Sequence, residues 1–251
     1  MKQTSLLNIV GLALGAVASF NGLALAQATK PATPAAAAPH AQPAEQGAKP
    51  ADAKAAAKEI KVGDTLPAMT FKDADGKDVD AKTLYAKEPA IIMFYRGNWC
   101  PYCNKSLQEY QTKVSEAKAL GATIVAISPE TPAELKETAK KDGLTYTLLS
   151  DSTGDSMKKL GLGFSLDAAT QKKYEGYGVN LAKHNASGQW ELPHPATLVV
   201  DTKGVVRYAY VNSDYTKRSA SDEVLAAVKK LKSEAAPAAP ATKEAPKHDA
   251  K

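Results

Sequence analysis

Cys100 and Cys103 are the only two cysteines among 251 residues, and they stand in the run Trp99-Cys100-Pro101-Tyr102-Cys103. An apolar stretch precedes them and a helical pattern follows, the setting in which a Cys-x-x-Cys pair does thiol redox chemistry. That chemistry needs a thiolate. A free cysteine of pKa near 8.5 is only about 3% thiolate at pH 7. Lowering the pKa to about 6 makes it roughly 90% thiolate and takes about 3.4 kcal/mol of differential stabilisation. The unpaired N–H groups and positive dipole end of a first helical turn supply part of this. The S–H of the partner cysteine and a nearby cation such as Arg96 are able to supply the rest.

Other uses of two cysteines fit less well. Zinc takes four ligands, and beyond these two the chain offers only His40, His184, His194 and His248. His40 and His248 lie in low-complexity tails. A c-type haem site needs His after the second cysteine, where this chain has Asn104. An inert structural disulfide is the serious competing reading. No metal or cofactor is expected.

The elements that must position the pair alternate in type. Ala68 to Lys72 reads as a short strand followed by an Asp75-Gly76 turn. Thr83 to Tyr85 reads as a helical turn and Ala90 to Tyr95 as a buried strand. Pro101 to Leu120 reads as one helix ended by Gly121. Ala122 to Ser128 is a continuous apolar run, as in parallel sheets. Thr131, Pro132 and Glu134 form a capping-box start for a helix to Lys141. A strand at Tyr146 to Leu149 and a short helix at Asp155 to Leu160 come next. The polar stretch between Leu162 and Gln189 predicts only a helix over Asp167 to Glu175. Thr197 to Asp201 and Val205 to Val211 form a hairpin, and Ser221 to Lys232 a closing amphipathic helix. This order predicts an α/β fold, a three-layer sandwich on a central mixed sheet. Asn185-Ala186-Ser187 has the form of a glycosylation acceptor, a match short enough to arise by chance.

The remainder of the chain differs in composition. Residues 1–26 read as a secretory signal: Lys2, an apolar stretch from Leu6 to Phe20, and a small-x-small site at Ala24-Leu25-Ala26. The stretch is short for a membrane span. Residues 27–57 and 234–251 are rich in Ala, Pro and Lys and are expected to be disordered linker and tail. Residues 58–233 are then the single folded domain. The net charge of +5 comes with both signs mixed and no aromatic-interleaved basic patch, so nucleic acid is not expected as a partner. An exported, oxidising compartment, most simply the periplasm, makes the disulfide the resting form of the pair.

With these elements in place, the body resembles the thioredoxin-fold superfamily. Within it, the chain looks most like the peroxiredoxin-like branch of the alkyl hydroperoxide reductase/thiol-specific antioxidant family. The resemblance rests on Phe94-Tyr95-Arg96-Gly97-Asn98-Trp99-Cys100-Pro101-Tyr102-Cys103, on Ser150-Asp151, on Pro195 to Asp201 before Gly204, and on Arg218 to Leu225. It implies a thioredoxin-like three-layer α/β/α sandwich. It implies a thiol-dependent peroxidase acting on hydrogen peroxide or organic hydroperoxides, with a thioredoxin-like protein as reductant.

The family register puts Cys103 in the peroxide-attacking position, with Cys100 where the family has Thr. The sulfenic acid formed on Cys103 then collapses to a Cys100–Cys103 disulfide. The thioredoxin register assigns the opposite roles, with Cys100 as exposed nucleophile. Pro195 stands where peroxiredoxins carry an Arg, and resembles the cis-proline that thioredoxins place against their disulfide. Arg218 matches the family's other Arg. Trp99, Tyr102 and Pro195 would form a surface for a peptide substrate, and His194 reads as a solvated loop residue. Two alternatives to the peroxidase stand beside it: an exported thiol–disulfide oxidoreductase acting on protein disulfides, and a non-catalytic redox-fold binding protein.

Overall fold

The computed structural model describes residues 58–235. The expected signal and linker, and all of the expected tail after Ala235, lie outside them. Seven strands form one sheet in the order β2-β1-β5-β4-β3-β8-β9. The strands are β1 (Thr70–Lys72), β2 (Asp78–Asp80), β3 (Ala90–Phe94), β4 (Thr123–Ser128), β5 (Thr147–Ser150), β8 (Ala196–Val200) and β9 (Val206–Val211). β3 pairs in parallel with β4 and antiparallel with β8, so the sheet is mixed. β1 and β2 are the two arms of the expected Asp75-Gly76 hairpin. The helical turn expected at Thr83 to Tyr85 is a short 3-10 helix at Ala81–Leu84, with Tyr85 as its C-cap.

All five residues of β3 are buried, because both faces of the sheet are covered. Alternation then splits its side chains. Ile92 and Phe94 face one core with Leu66, Met69, Phe71, Met157, Leu160 and Leu198. Ile91, Met93 and Tyr95 face the other, with Cys100, Cys103, Leu107, Tyr110, Leu135 and Val224. The second core is covered by α1 (Pro101–Thr112), α2 (Val114–Ala119), α3 (Pro132–Asp142) and α7 (Ser221–Ala235). The first is covered by the segment before β1, by the 3-10 helix and by α4 (Asp155–Lys159). The three-layer α/β/α sandwich expected from the element order is therefore present.

Several elements differ from the sequence expectation for identifiable reasons. The helix expected from Pro101 to Leu120 is two helices that meet at Lys113. The Thr112 hydroxyl donates to the Glu109 carbonyl at 2.7 Å. That carbonyl would otherwise accept the Lys113 N–H, which turns instead to Tyr110 at 3.0 Å. The capping box of α3 is half formed. The Thr131 hydroxyl accepts the Glu134 N–H, but the Glu134 carboxylate turns to His184 Nδ1, and the Thr131 N–H donates to the His184 carbonyl at 3.0 Å. α7 runs three residues past Lys232.

The segment that read least clearly builds a small second layer of its own. β6 (Gly163–Ser165) and β7 (Glu191–Pro193) pair antiparallel. Between them lie α5 (Ala168–Gly176), capped by the Asp167 carboxylate accepting the Thr170 N–H at 2.7 Å, and α6 (Leu181–His184). Leu166, Tyr174, Val179, Leu181 and Leu192 form a satellite cluster here, against which Trp99 packs. Asn185 is buried and donates to the Gln189 and Glu191 carbonyls at 2.8 and 2.7 Å, so it is committed to this fold and closed to glycosylation.

Candidate active site

The last ladder bond of β3 carries the chain into the cysteine loop: the Tyr95 N–H donates to the Ile127 carbonyl at 2.9 Å. Gly97 then has φ +153°, and a Cβ there would meet Trp99 Nε1 at 2.4 Å and Glu130 Oε1 at 2.9 Å. The close approach admits only glycine. Cys100 is the N-cap of α1, Pro101 its first residue, and Cys103 lies within the first turn. The missing N–H of Pro101 costs nothing at that position.

Both cysteines are free thiols and both are 0% exposed. Their environments differ. Arg218 Nη2 donates to Cys103 Sγ at 3.2 Å. Burial alone would push the Cys103 thiol up. The Cys100 S–H, the Arg218 charge, the Arg96 N–H and the Arg96 charge together outweigh it and bring the pKa down to about 5. Cys100 moves the opposite way, well above the ordinary thiol range. It is the donor in the hydrogen bond to Cys103, it is buried, and it faces the charge on Cys103. One proton is thus held on Cys100 while Cys103 is the thiolate.

Arg218 reaches the sulfur because its own loop holds it. Its Nη1 donates to the Tyr215 and Lys217 carbonyls at 2.6 and 2.7 Å. Tyr110 OH and Ser219 Oγ, 3.1 Å apart, tie that loop to α1. Arg96 is fully buried, with its guanidinium carbon 4.5 Å from the Tyr215 ring centre, 5.5 Å from Trp99 and 5.6 Å from Tyr174, and it donates to the Tyr174 hydroxyl. Two guanidinium groups therefore act on one sulfur, one as hydrogen-bond donor and one through its charge.

The expected site residues fall in different places. Cys100, Cys103 and Arg218 are brought together. Trp99 is half-buried between the second core and the satellite cluster and stacks edge-on to Tyr174 at 5.7 Å. Pro195 is buried at the start of β8, its carbonyl accepting the Asn212 N–H at 3.1 Å. Of the three residues expected to form a peptide surface, Tyr102 alone is exposed, at 40%, with Tyr215 against its ring. His194 is not a solvated loop residue: it is half-buried and stacked on Phe164 at 4.6 Å.

The sequence reading passed over Tyr95, Tyr174, Tyr215 and Glu130. Glu130 is buried, and its Oε1 accepts the Asn98 N–H at 2.6 Å, two residues before Cys100. Its signal was positional. It follows the carboxyl end of β4, the strand parallel and adjacent to the cysteine strand, where open α/β sheets gather their site residues.

The chain matches known proteins in sequence as well as in fold. The AhpC/TSA family profile matches residues 62–209. The chain belongs to the AhpC/TSA family. "Peroxiredoxin Q, chloroplastic" of Populus jackii is 30% identical over 172 residues, covering 68% of this chain and 70% of that one. The protein of the same name from Triticum aestivum is 31% identical over 153 residues, covering 61% and 60%. Among solved structures, peroxidoxin BcpB of Mycobacterium tuberculosis superposes with a TM-score of 0.56 at 21% identity, covering 69% of this chain and 99% of that one. Peroxiredoxin Q of Xanthomonas campestris gives 0.51 at 18% identity, covering 65% and 91%. These two likenesses show that this AhpC/TSA member has the peroxiredoxin form of the thioredoxin-like fold.

Proposed function

We propose that this AhpC/TSA protein reduces hydrogen peroxide or an organic hydroperoxide with Cys103 as the attacking thiolate and Cys100 as the resolving thiol. Thiol-dependent peroxide reduction is the activity of the family; the division of roles is read from the site. The observation that carries it is the asymmetry of the pair, with Arg218 Nη2 3.2 Å from Cys103 Sγ and the proton retained on Cys100.

The Cys103 sulfur attacks one peroxide oxygen, the O–O bond breaks, and the alkoxide or hydroxide leaves. Arg218 and Arg96 favour the thiolate before attack and the negative charge that develops on the departing oxygen. The resulting sulfenic acid lies beside Cys100, whose sulfur attacks the Cys103 sulfur, so that the S–O bond breaks, the intramolecular disulfide forms and water leaves. A thioredoxin-like dithiol protein then reduces the disulfide. A buried, protonated Cys100 does not suit the alternative in which it strikes protein disulfides first, since that chemistry starts from an exposed thiolate. The signal-like residues 1–26 support export, most simply to the periplasm, with the disulfide as the resting form.

Stopped-flow oxidation of the reduced protein tests the roles. Cys103→Ser is expected to abolish the peroxide reaction, and Cys100→Ser to complete one turnover and stop at the sulfenic acid. A Cys103→Ser protein that consumes peroxide at the wild-type rate would reverse the assignment.

A further inference from the structure

Glu130 is a buried acid that the steps above leave unused. Its Oε1 accepts the Asn98 N–H at 2.6 Å and its Oε2 accepts the Ser128 hydroxyl at 3.2 Å. Its own carbonyl accepts the Ser150 hydroxyl, which fixes the backbone under the carboxylate. The 2.9 Å approach of Oε1 to a Cβ built on Gly97 puts the group directly against the cysteine loop.

Beside it lies Tyr95, only 3% exposed, the residue after β3, in the same buried cluster as both cysteines. Its hydroxyl has no direct hydrogen-bond partner among the described residues, yet it sits within the influence of Ser128, Glu130 and Cys103. A buried hydroxyl left open between a carboxylate and a reactive sulfur is placed to pass a proton.

Resolution needs such a group. The Cys100 thiol keeps its proton firmly and must lose it to attack, while the hydroxyl leaving Cys103 must gain one. We propose that Glu130, acting through the Tyr95 hydroxyl, carries this proton during disulfide formation. The inference rests on Cys103 being the sulfenic acid and Cys100 the resolving thiol. The step balances: the Cys100 proton goes to the Glu130 carboxylate, and the freed electron pair on Cys100 sulfur forms the S–S bond. The Cys103 S–O bond breaks, and the departing hydroxide takes the proton from Glu130 and leaves as water. No outside oxidant or reductant enters.

The surroundings time the event. Burial pushes the Glu130 carboxyl up to about 7, aided by Glu134 and by the Cys103 thiolate, against the Asn98 N–H and Ser128 hydroxyl. The charged or titratable groups facing it are Tyr95 from the start of the loop after β3, Cys103 from α1, and Glu134 from α3, which is itself bonded to His184. Lys141 Nζ reaches the Asn98 carbonyl at 3.1 Å. When Cys103 becomes a neutral sulfenic acid, one of the negative neighbours disappears. Glu130 then ionises more readily at the step that needs a base.

The test mixes the reduced full chain with excess hydrogen peroxide and follows tryptophan fluorescence from about pH 5.5 to about 8.5. A peroxide-dependent first phase reports sulfenic acid formation, and a peroxide-independent second phase reports resolution. The second phase is expected to rise with pH and level off through one inflection. Glu130→Gln, which keeps an acceptor for the Asn98 N–H, is expected to slow it by tenfold or more and flatten the profile, within the range of a lost acid–base group of about 10²–10⁴. The first phase should stay within about twofold, because attack does not wait on this proton. Tyr95→Phe should slow the second phase in the same way. A Glu130→Gln protein with the wild-type second phase and pH profile would overturn the inference. If that variant fails to fold, the wild-type profile decides: a second phase independent of pH overturns it equally. Loss of the cysteine assignment would show separately, as a first phase that survives in Cys103→Ser.

Discussion

At the residue scale, the charges around Cys103 fix the direction of its pH response. Its pKa is lowered in the folded protein, so the thiolate is present above about 5 and is lost as pH falls through that value. The peroxide rate is expected to be flat across neutral pH and to fall on the acid side, measured by stopped-flow at constant peroxide. Arg218→Met removes a donor 3.2 Å from the sulfur and is expected to move this inflection up by about one unit or more. Glu130 has the opposite sign. Its folded pKa is raised from 4.5 to about 7, so the folded state binds more protons than the unfolded state between those values. Stability that Glu130 lends at low pH is therefore lost as pH rises through about 7. Compared with Glu130→Gln, the wild type is expected to lose up to about 3 kcal/mol between the two limits. Urea denaturation of both proteins across that window measures it.

At the element scale, single side chains decide where segments turn. Asp201 ends β8, and its Oδ1 accepts the Lys203 and Val205 N–H groups at 2.8 and 2.9 Å. Its Oδ2 accepts Arg207 Nε at 2.8 Å. Asp201→Ala leaves these donors without their acceptor and is expected to cost about 2 kcal/mol, read as a lowered Tm. Thr112 breaks the long helix at Lys113 by competing for a carbonyl, a choice that apolar periodicity does not register. Continuous apolar runs, turn residues and capping residues made β3, β4, the β8–β9 hairpin, α3 and α5 legible from the sequence. β6 and β7, three residues each, were not, because so short a pairing carries no periodic signal and is stabilised by the satellite cluster around it.

At the scale of the whole molecule, two of the three buried clusters, the second core and the satellite cluster, meet at the cysteine loop. Trp99 packs against both the second core and the satellite cluster, and Arg96 lies between Trp99, Tyr174 and Tyr215. A change in the satellite cluster should therefore reach the site, while a change in the first core should not. Leu198→Ala, in the first core, is expected to cost about 2–5 kcal/mol and leave the peroxide rate of the folded protein unchanged. Leu192→Ala, under Tyr174 and Trp99, is expected to lower both stability and peroxide rate, as Arg96 loses its fixed position. Denaturation and stopped-flow kinetics on the two variants distinguish these outcomes.

The sequence by itself determined the cysteine pair, its place at the start of a helix after a buried strand, and the order of the main elements in the sandwich. These are local properties: spacing, periodicity and capping act between residues close in the chain. Only the tertiary structure decided how the pair divides its proton. That division depends on Arg218, 115 residues beyond Cys103, on the burial of both sulfurs, and on Arg96 held among aromatic rings from distant segments. Electrostatic work on a buried sulfur is summed over neighbours in space, and the chain order of those neighbours does not reveal it.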